Sequence, residues 1–354
     1  MIDFSQFTLN NQGLMDLNKV LFTTAFKESN LADICTMQSG IKDGEKLDYV
    51  DNMGEVGTAG RGCDPTYTSV AIKGLEKAWS LGDWSIPKKI CYKTLENTIA
   101  KWSLNTGTSK DDLTNTDFWN KIMLPLLDKA LTEFYWRVAW FGDTAAKNVA
   151  QTNGGNITAG VDVNLFKITD GLWKRLFAIA GSNASKRTAI AANAEASESA
   201  QKTAIKTQGA ALSILDNLLA DADSRIQANG GVLMMTNSLY QAFRRDYAKA
   251  YKDTIPFMEV AEGVKLPHYD GVPVRPVLEW DNLIKKYEDN ETKLNNPHRA
   301  VFTAPTNLFV GTSAKSHLAD FDVTFDKVTR NNYMYAASDM GTLVGEDDLV
   351  QVAY

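Results

Sequence analysis

The chain has 354 residues, 44% of them hydrophobic and 23% charged, with a formal net charge of −6. With 8 Trp, 12 Tyr and 15 Phe it is no disordered chain, and it holds enough apolar material for two lobes. No basic run exceeds a pair such as Lys88-Lys89 or Arg244-Arg245, which disfavours a nucleic-acid reader built on clustered phosphate contacts.

The N-terminus, "MIDFSQFTLNNQG", lacks a basic segment followed by an apolar run, so no signal peptide is expected. Residues 11–28 read as an amphipathic helix with Leu14, Leu17, Leu21 and Ala25 on one face. Residues 38–64 hold six glycines and the acids Asp43, Glu45, Asp48, Asp51 and Glu55. A polar excursion of that length is uncommon inside a compact domain and is usually functional. After it, "TYTSVAIKG" and "WSIPKKICYKTL" read as the strands of a long hairpin.

The spacing predicts a long helix over 117–141, with Thr116 or Asp117 as cap and Gly142 as stop. Phe118, Ile122, Leu126, Ala130, Phe134 and Val138 form one apolar row. Pro125 predicts a kink, or a helix that begins near it. Lys121, Asp128, Lys129, Glu133 and Arg137 exclude a membrane span. Residues 182–208, rich in Ala and Ser, read as a solvated loop or a weak exposed helix. A helix over 209–227, a short apolar strand in "NGGVLMMT", a helix over 237–251 capped by Thr236 or Asn237, and strands near 272–279, 299–304 and 307–311 make an α/β lobe. The tail, "FDVTFDKVTRNNYMYAA" and "DDLVQVAY", alternates as β-strands do.

"LPHYDGVPVRPVLEWDN" (266–282) carries Pro273 and Pro276 in an otherwise strand-like run. Proline donates no ladder bond, so an edge or interrupted strand is expected, with Arg275 on the face opposite Val274.

The chain contains no GxSxG, HExxH, P-loop or CxxC motif. "GEVGTAG" (54–60) lacks the Lys-Ser/Thr that a phosphate loop needs, and the acids of 43–64 do not match EF-hand spacing. His268, His298 and His317 lie at no metal-ligand spacing and read as exposed or capping. Three cysteines, Cys35, Cys63 and Cys91, are too few for a disulfide framework and fit a reducing compartment. No catalytic residue, cofactor or metal is therefore expected. An amphipathic arm and a long glycine-rich hairpin are extensions that a monomer cannot bury, which points to an assembly protein.

The order of these elements, with the phrases "GGVLMMTNSLYQAF", "GVPVRPVLEWD" and "NPHRAVFTAPTNLFVGTS", resembles the major capsid protein of tailed bacteriophages, with the Hong Kong 97 phage capsid fold. The closing strands are similar to those of crAss-like and related phages of Bacteroidetes hosts. The resemblance implies an α+β fold with an N-arm (1–36), an extended β-hairpin loop (37–95), a peripheral domain (96–181 and 319–354) whose spine helix is 117–141, and an α/β axial domain (209–318). Residues 182–208 have no counterpart in it and would be an insertion.

On the same resemblance the chain is no enzyme but a structural virion protein. Its copies would form the pentamers and hexamers of an icosahedral shell around double-stranded DNA that they contact weakly and non-specifically. Portal, scaffold and possible decoration proteins would be partners, with no membrane; the chain would reside in the virion and assemble in the host cytoplasm. Subunit-contact candidates are Phe4, Phe7, Leu17 and Leu21 in the arm, Tyr49, Met53 and Arg61 in the loop, Arg275 in the proline strand, and Lys327 and Arg330 in the tail. Cys63 and Cys91 flank the hairpin and could form a late disulfide in released particles. An encapsulin-type nanocompartment shell is the alternative within the fold. A two-domain cytoplasmic α/β enzyme with a cleft site is the alternative outside it.

Overall fold

A computed structural model describes residues 30–50, 74–91, 123–151, 154–261, 264–315, 320–329 and 331–354. The helix expected at 11–28, most of the glycine-rich loop, and Thr116 and Asp117 lie outside the described residues.

A 3₁₀ turn at Asn30–Asp33 leads into β1 (Thr36–Ser39). β2 (Lys46–Val50) and β3 (Gly74–Ala78) pair antiparallel, from Lys46 opposite Ala78 to Val50 opposite Gly74, as the root of a hairpin whose residues 51–73 lie outside the described residues. β4 (Gly82–Ser85) and β5 (Lys88–Cys91) do not continue that hairpin, contrary to the reading of "WSIPKKICYKTL". They pair instead with residues 331–334 and 337–340 near the C-terminus. The break between them falls at Ile86-Pro87, where proline has no donor to give and the Ile86 amide alone bonds Ala336 O at 2.7 Å.

α1 (Leu124–Phe141) starts with Pro125 in its first turn, where a missing amide donor costs little. Gly142 ends it at φ −56°, so the glycine is not there for a left-handed turn. A Cβ at Gly142 would sit 2.3 Å from Thr169 O and 2.6 Å from Val138 O. The need is close passage of the next segment, whose Gly171 amide bonds Gly142 O at 2.8 Å. α2 (Leu172–Ser182) then buries Leu172, Trp173, Leu176 and Ala180.

Residues 182–208 are neither a solvated loop nor an exposed helix. They form β6 (Arg187–Thr188), α3 (Glu198–Ala204) and two 3₁₀ turns, and bury Ile190, Ala192 and Ile205. Gln201 is fully buried; its amide donates to Asn193 O at 3.1 Å and Leu294 O at 2.9 Å and accepts from Leu294 N at 3.1 Å. Small side chains let this backbone pack closely, and buried amides satisfy it.

The helix expected over 209–227 is split into α4 (Ala210–Ala220) and α5 (Ser224–Ala228), because Asp223 accepts from Arg225 N at 2.8 Å and starts a new helix. β7 (Val232–Thr236) is buried at every residue. Val232 and Met234 face one apolar cluster while Leu233 and Met235 face the other. A strand covered on both faces is a continuous apolar run, which is how "VLMM" reads.

α6 (Asn237–Tyr251) follows without a linker. Thr236 holds the N-cap position but its side chain makes no capping bond. The cap comes from 44 residues on: Asp281 accepts from Asn237 N at 2.6 Å and Ser238 N at 3.0 Å. β8 (Phe257–Ala261), β9 (Val264–Tyr269) and β10 (Val272–Val277) lead to α7 (Leu278–Tyr287), and β11 (Ala300–Thr303) and β12 (Leu308–Thr312) follow. β13 (Asp320–Asp326), β14 (Asn331–Val344) and β15 (Gln351–Ala353) close the chain.

The larger sheet runs β6-β15-β11-β7-β10-β9-β8. The six-stranded sheet runs β1-β12-β14-β13, with β4 and β5 also on β14. The sheets do not divide at residue 318. β12 lies in the six-stranded sheet and the terminal β15 in the seven-stranded one. Asn307 holds the two crossovers together: its Nδ2 donates to Glu346 O at 2.9 Å and its Oδ1 accepts from Glu346 N at 2.7 Å.

Pro273 and Pro276 sit in a strand that changes partner along its length. Val272 and Pro273 pair with β9, whereas Val274 to Val277 pair with β7. β10 is thus an inner strand of the sheet but interrupted on its β9 side, and Val274 is buried with Arg275 on the opposite face.

Candidate functional site

The sequence-derived contact candidates separate into three groups. Phe4, Phe7, Leu17, Leu21, Met53, Arg61, Arg330, Cys63 and His317 lie outside the described residues. Tyr49 stands in β2 opposite Leu75, and Cys91 ends β5 opposite Asn331. Lys327 is exposed at the β13–β14 turn.

Arg275 is engaged within the chain. Its Nη2 contacts the Asp33 carboxylate at 2.5 Å and its Nη1 donates to Asp33 O at 3.2 Å. This fastens the segment before β1 to the seven-stranded sheet. The hairpin root is fastened in a similar way. Trp79, Ile41, Phe309 and Leu343 form a small apolar cluster beneath it. Lys77 pairs with Asp347 at 2.5 Å and donates to Val344 O at 3.0 Å.

Sequence reasoning chose the charges of "DKVTR" and passed over the apolar side chain between them: Val328 is 91% exposed at the turn tip. It also passed over Phe257, which is 63% exposed, and Leu126 on the outer end of α1. Leu126 belongs to the predicted apolar row but is 59% exposed, whereas its neighbour Leu127 packs against the core and full burial begins at Leu131. The signal for Val328 was available, since it is a lone apolar residue in a polar turn, and Phe257 directly follows Pro256.

His298 is buried, not exposed. Its Nδ1 is 2.9 Å from Ser238 Oγ and its Nε2 is 3.3 Å from Gln201 O. Burial pushes its pKa down to about 4. A weakly basic ring oriented by a carbonyl, not a carboxylate, is poorly suited to activate the Ser238 hydroxyl. Burial pushes the thiol of Cys35 up, so it is an inert core residue. No group of three His, Cys, Asp or Glu side chains among the described residues could hold a metal ion. No helix among them is long and apolar enough to cross a membrane.

The interior is organised around charge and aromatic rings. Arg299 is fully buried, with Cζ at 5.4 Å, 5.3 Å and 5.3 Å from the rings of Phe141, Trp173 and Phe177. It pairs with Glu288, and its Nε donates to Asn296 O at 2.8 Å. Trp140, Trp173 and Trp280 pack beside it, with centroids 4.5 Å to 5.4 Å apart. These rings join α1, α2 and α7.

No protein-family model and no curated protein matches the chain. Solved structures do. A chain of the satellite phage P4 procapsid that includes the size determination protein superposes with a TM-score of 0.50 at 10% identity, over 95% of this chain and 98% of that one. The chain has the phage capsid fold. A Mycobacterium phage Adephagia structure matches with a TM-score of 0.48 at 8% identity, over 92% and 89% of the two chains. The capsid of the native GTA particle gives 0.46 at 11% identity, over 92% and 89%.

Proposed function

We propose that this chain is a major capsid protein whose copies assemble through many modest contacts into a closed icosahedral shell around double-stranded DNA. The observation that carries the proposal is the superposition over nearly the full length of both this chain and the P4 procapsid chain. In this reading the seven-stranded sheet with α4 and α6 is the axial domain, and the six-stranded sheet with α1 belongs to the peripheral domain. The arm 1–36 and the loop carried on β2–β3 reach neighbouring subunits. Kinship with crAss-like phages rests on the phrases of residues 230–354 alone.

A single specific interface buries about 1,600 Å² in total. An arm and a loop that each lie on a neighbour multiply the buried area without demanding one strong contact. Leu126, Phe257 and Val328 are contact candidates that join Tyr49, Lys327 and the candidates of the arm and loop. Arg275 acts one step earlier, by setting the direction in which the arm leaves the body.

Gradient sedimentation of the expressed chain with nuclease-protection analysis tests the proposal. Fast-sedimenting particles support it, and nuclease-resistant DNA from infected cells identifies the cargo. Particles filled with protein would assign the chain to an encapsulin-type shell instead. A chain that remains a monomer at every concentration would refute the proposal.

A further inference from the structure

A cleft of about 940 Å³ opens between α3, α6 and the segment entering β8. Four cations line it: Lys202 and Lys206 at the end of α3, and Arg244 and Arg245 on α6. Among the described residues no Asp or Glu lines it, although the chain as a whole carries a net charge of −6. Lys202 is partly neutralised by Glu198 at 2.5 Å. Arg244 lies 6.0 Å from the Tyr240 ring, and Arg245 donates only to Gln241 O at 3.4 Å. Neither arginine has a carboxylate partner among the described residues. Tyr240 and the exposed Phe257 supply aromatic surface to the same cleft, and buried His298 with Ser238 closes its inner end.

Side chains of one sign converging on a concavity raise the local potential and select for anions. Arginine's planar fork matches phosphate oxygens two at a time, and an aromatic face stacks on a base. The volume falls within the range of small-molecule sites, about 300–1,000 Å³. We infer that this cleft binds phosphate groups borne by a nucleotide, with Arg244, Arg245 and Lys206 on the phosphates and Tyr240 and Phe257 beside the base. Every lining residue belongs to one chain.

The test is calorimetric titration of the full-length soluble chain with inorganic triphosphate, with ATP, and with a short single-stranded oligonucleotide. Triphosphate binds, and the double substitution R244Q/R245Q weakens it at least about tenfold, the factor expected for losing charge-assisted hydrogen bonds. Both arginines are exposed on α6, so the variant keeps the melting temperature of the parent within a few degrees. ATP binding more tightly than triphosphate, with the difference lost in Y240A, supports the base contact. Equal binding of the two overturns the base contact and leaves a bare phosphate site. An oligonucleotide that competes with ATP makes a strand the source of the phosphates, and one that does not makes it a free nucleotide. No binding of triphosphate at millimolar concentration, or binding untouched by R244Q/R245Q, overturns the inference.

Discussion

Arg275 binds Asp33 through two contacts, one to the carboxylate at 2.5 Å and one to the backbone carbonyl at 3.2 Å. The residues are 242 positions apart, so this bond ties the start of the described chain to β10, an inner strand of the larger sheet. Both side chains retain solvent access, 28% for Arg275 and 53% for Asp33.

That exposure sets the expected size of the effect. An exposed pair contributes about 0–1 kcal/mol, so R275A should lower unfolding free energy by no more than about 1 kcal/mol in urea titrations. Assembly should suffer more, because the arm's exit direction is lost in every subunit. The charge swap D33R/R275D restores assembly if the pair is what orients the arm. Normal shell yield from R275A would remove Arg275 from any assembly role.

His298 makes stability depend on pH. Its folded pKa is about 4, below the ordinary 6.5, so the unfolded chain binds the proton more readily between those values. The His298 contribution to stability is therefore full above pH 6.5 and falls as the pH drops toward 4. The complete shift corresponds to roughly 3 kcal/mol at about 1.4 kcal/mol per unit. H298Q should flatten the curve of unfolding free energy against pH in that window. A variant curve with the same slope as the parent would contradict this account.

Several features that give the molecule its shape were legible in the sequence. "VLMM" in β7 reads as a strand covered on both faces, and the part of the helix expected over 117–141 that is described, Leu124–Phe141, is helical throughout. What was not legible depends on partners distant in the chain. β4 and β5 look like hairpin strands because alternation reports a strand without naming its neighbour. The α6 cap comes from Asp281, so Thr236 in the cap position is a misleading local cue. Residues 182–208 lack large apolar side chains, yet Gln201 and Asn193 build them into the interior through buried hydrogen bonds that composition does not reveal. In the turn "DKVTR" the charges Lys327 and Arg330 drew the reading, whereas Val328 between them is 91% exposed.

The Arg299–Glu288 pair should respond differently from the Arg275–Asp33 pair because it is buried. Removing one member leaves an uncompensated interior charge, so R299M should cost about 3–5 kcal/mol. The double variant R299M/E288L removes both charges and should recover most of that loss, since apolar replacements of similar size often match a buried ion pair. Denaturant midpoints of the two variants check this. A double variant as unstable as R299M would mean that the rings around Arg299 need its cation, as the distances of 5.3 Å and 5.4 Å to Trp173, Phe177 and Phe141 allow.

The central claim is that the chain builds closed shells. Negative-stain electron microscopy of the purified full-length protein tests it most directly, alongside a variant lacking residues 51–60, which keeps β2 and β3. The parent should give uniform round particles on the order of tens of nanometres across, and the shortened variant only monomers or small rings of intact fold. A parent that shows no particle larger than a small oligomer, or a shortened variant that closes normal shells, would contradict it.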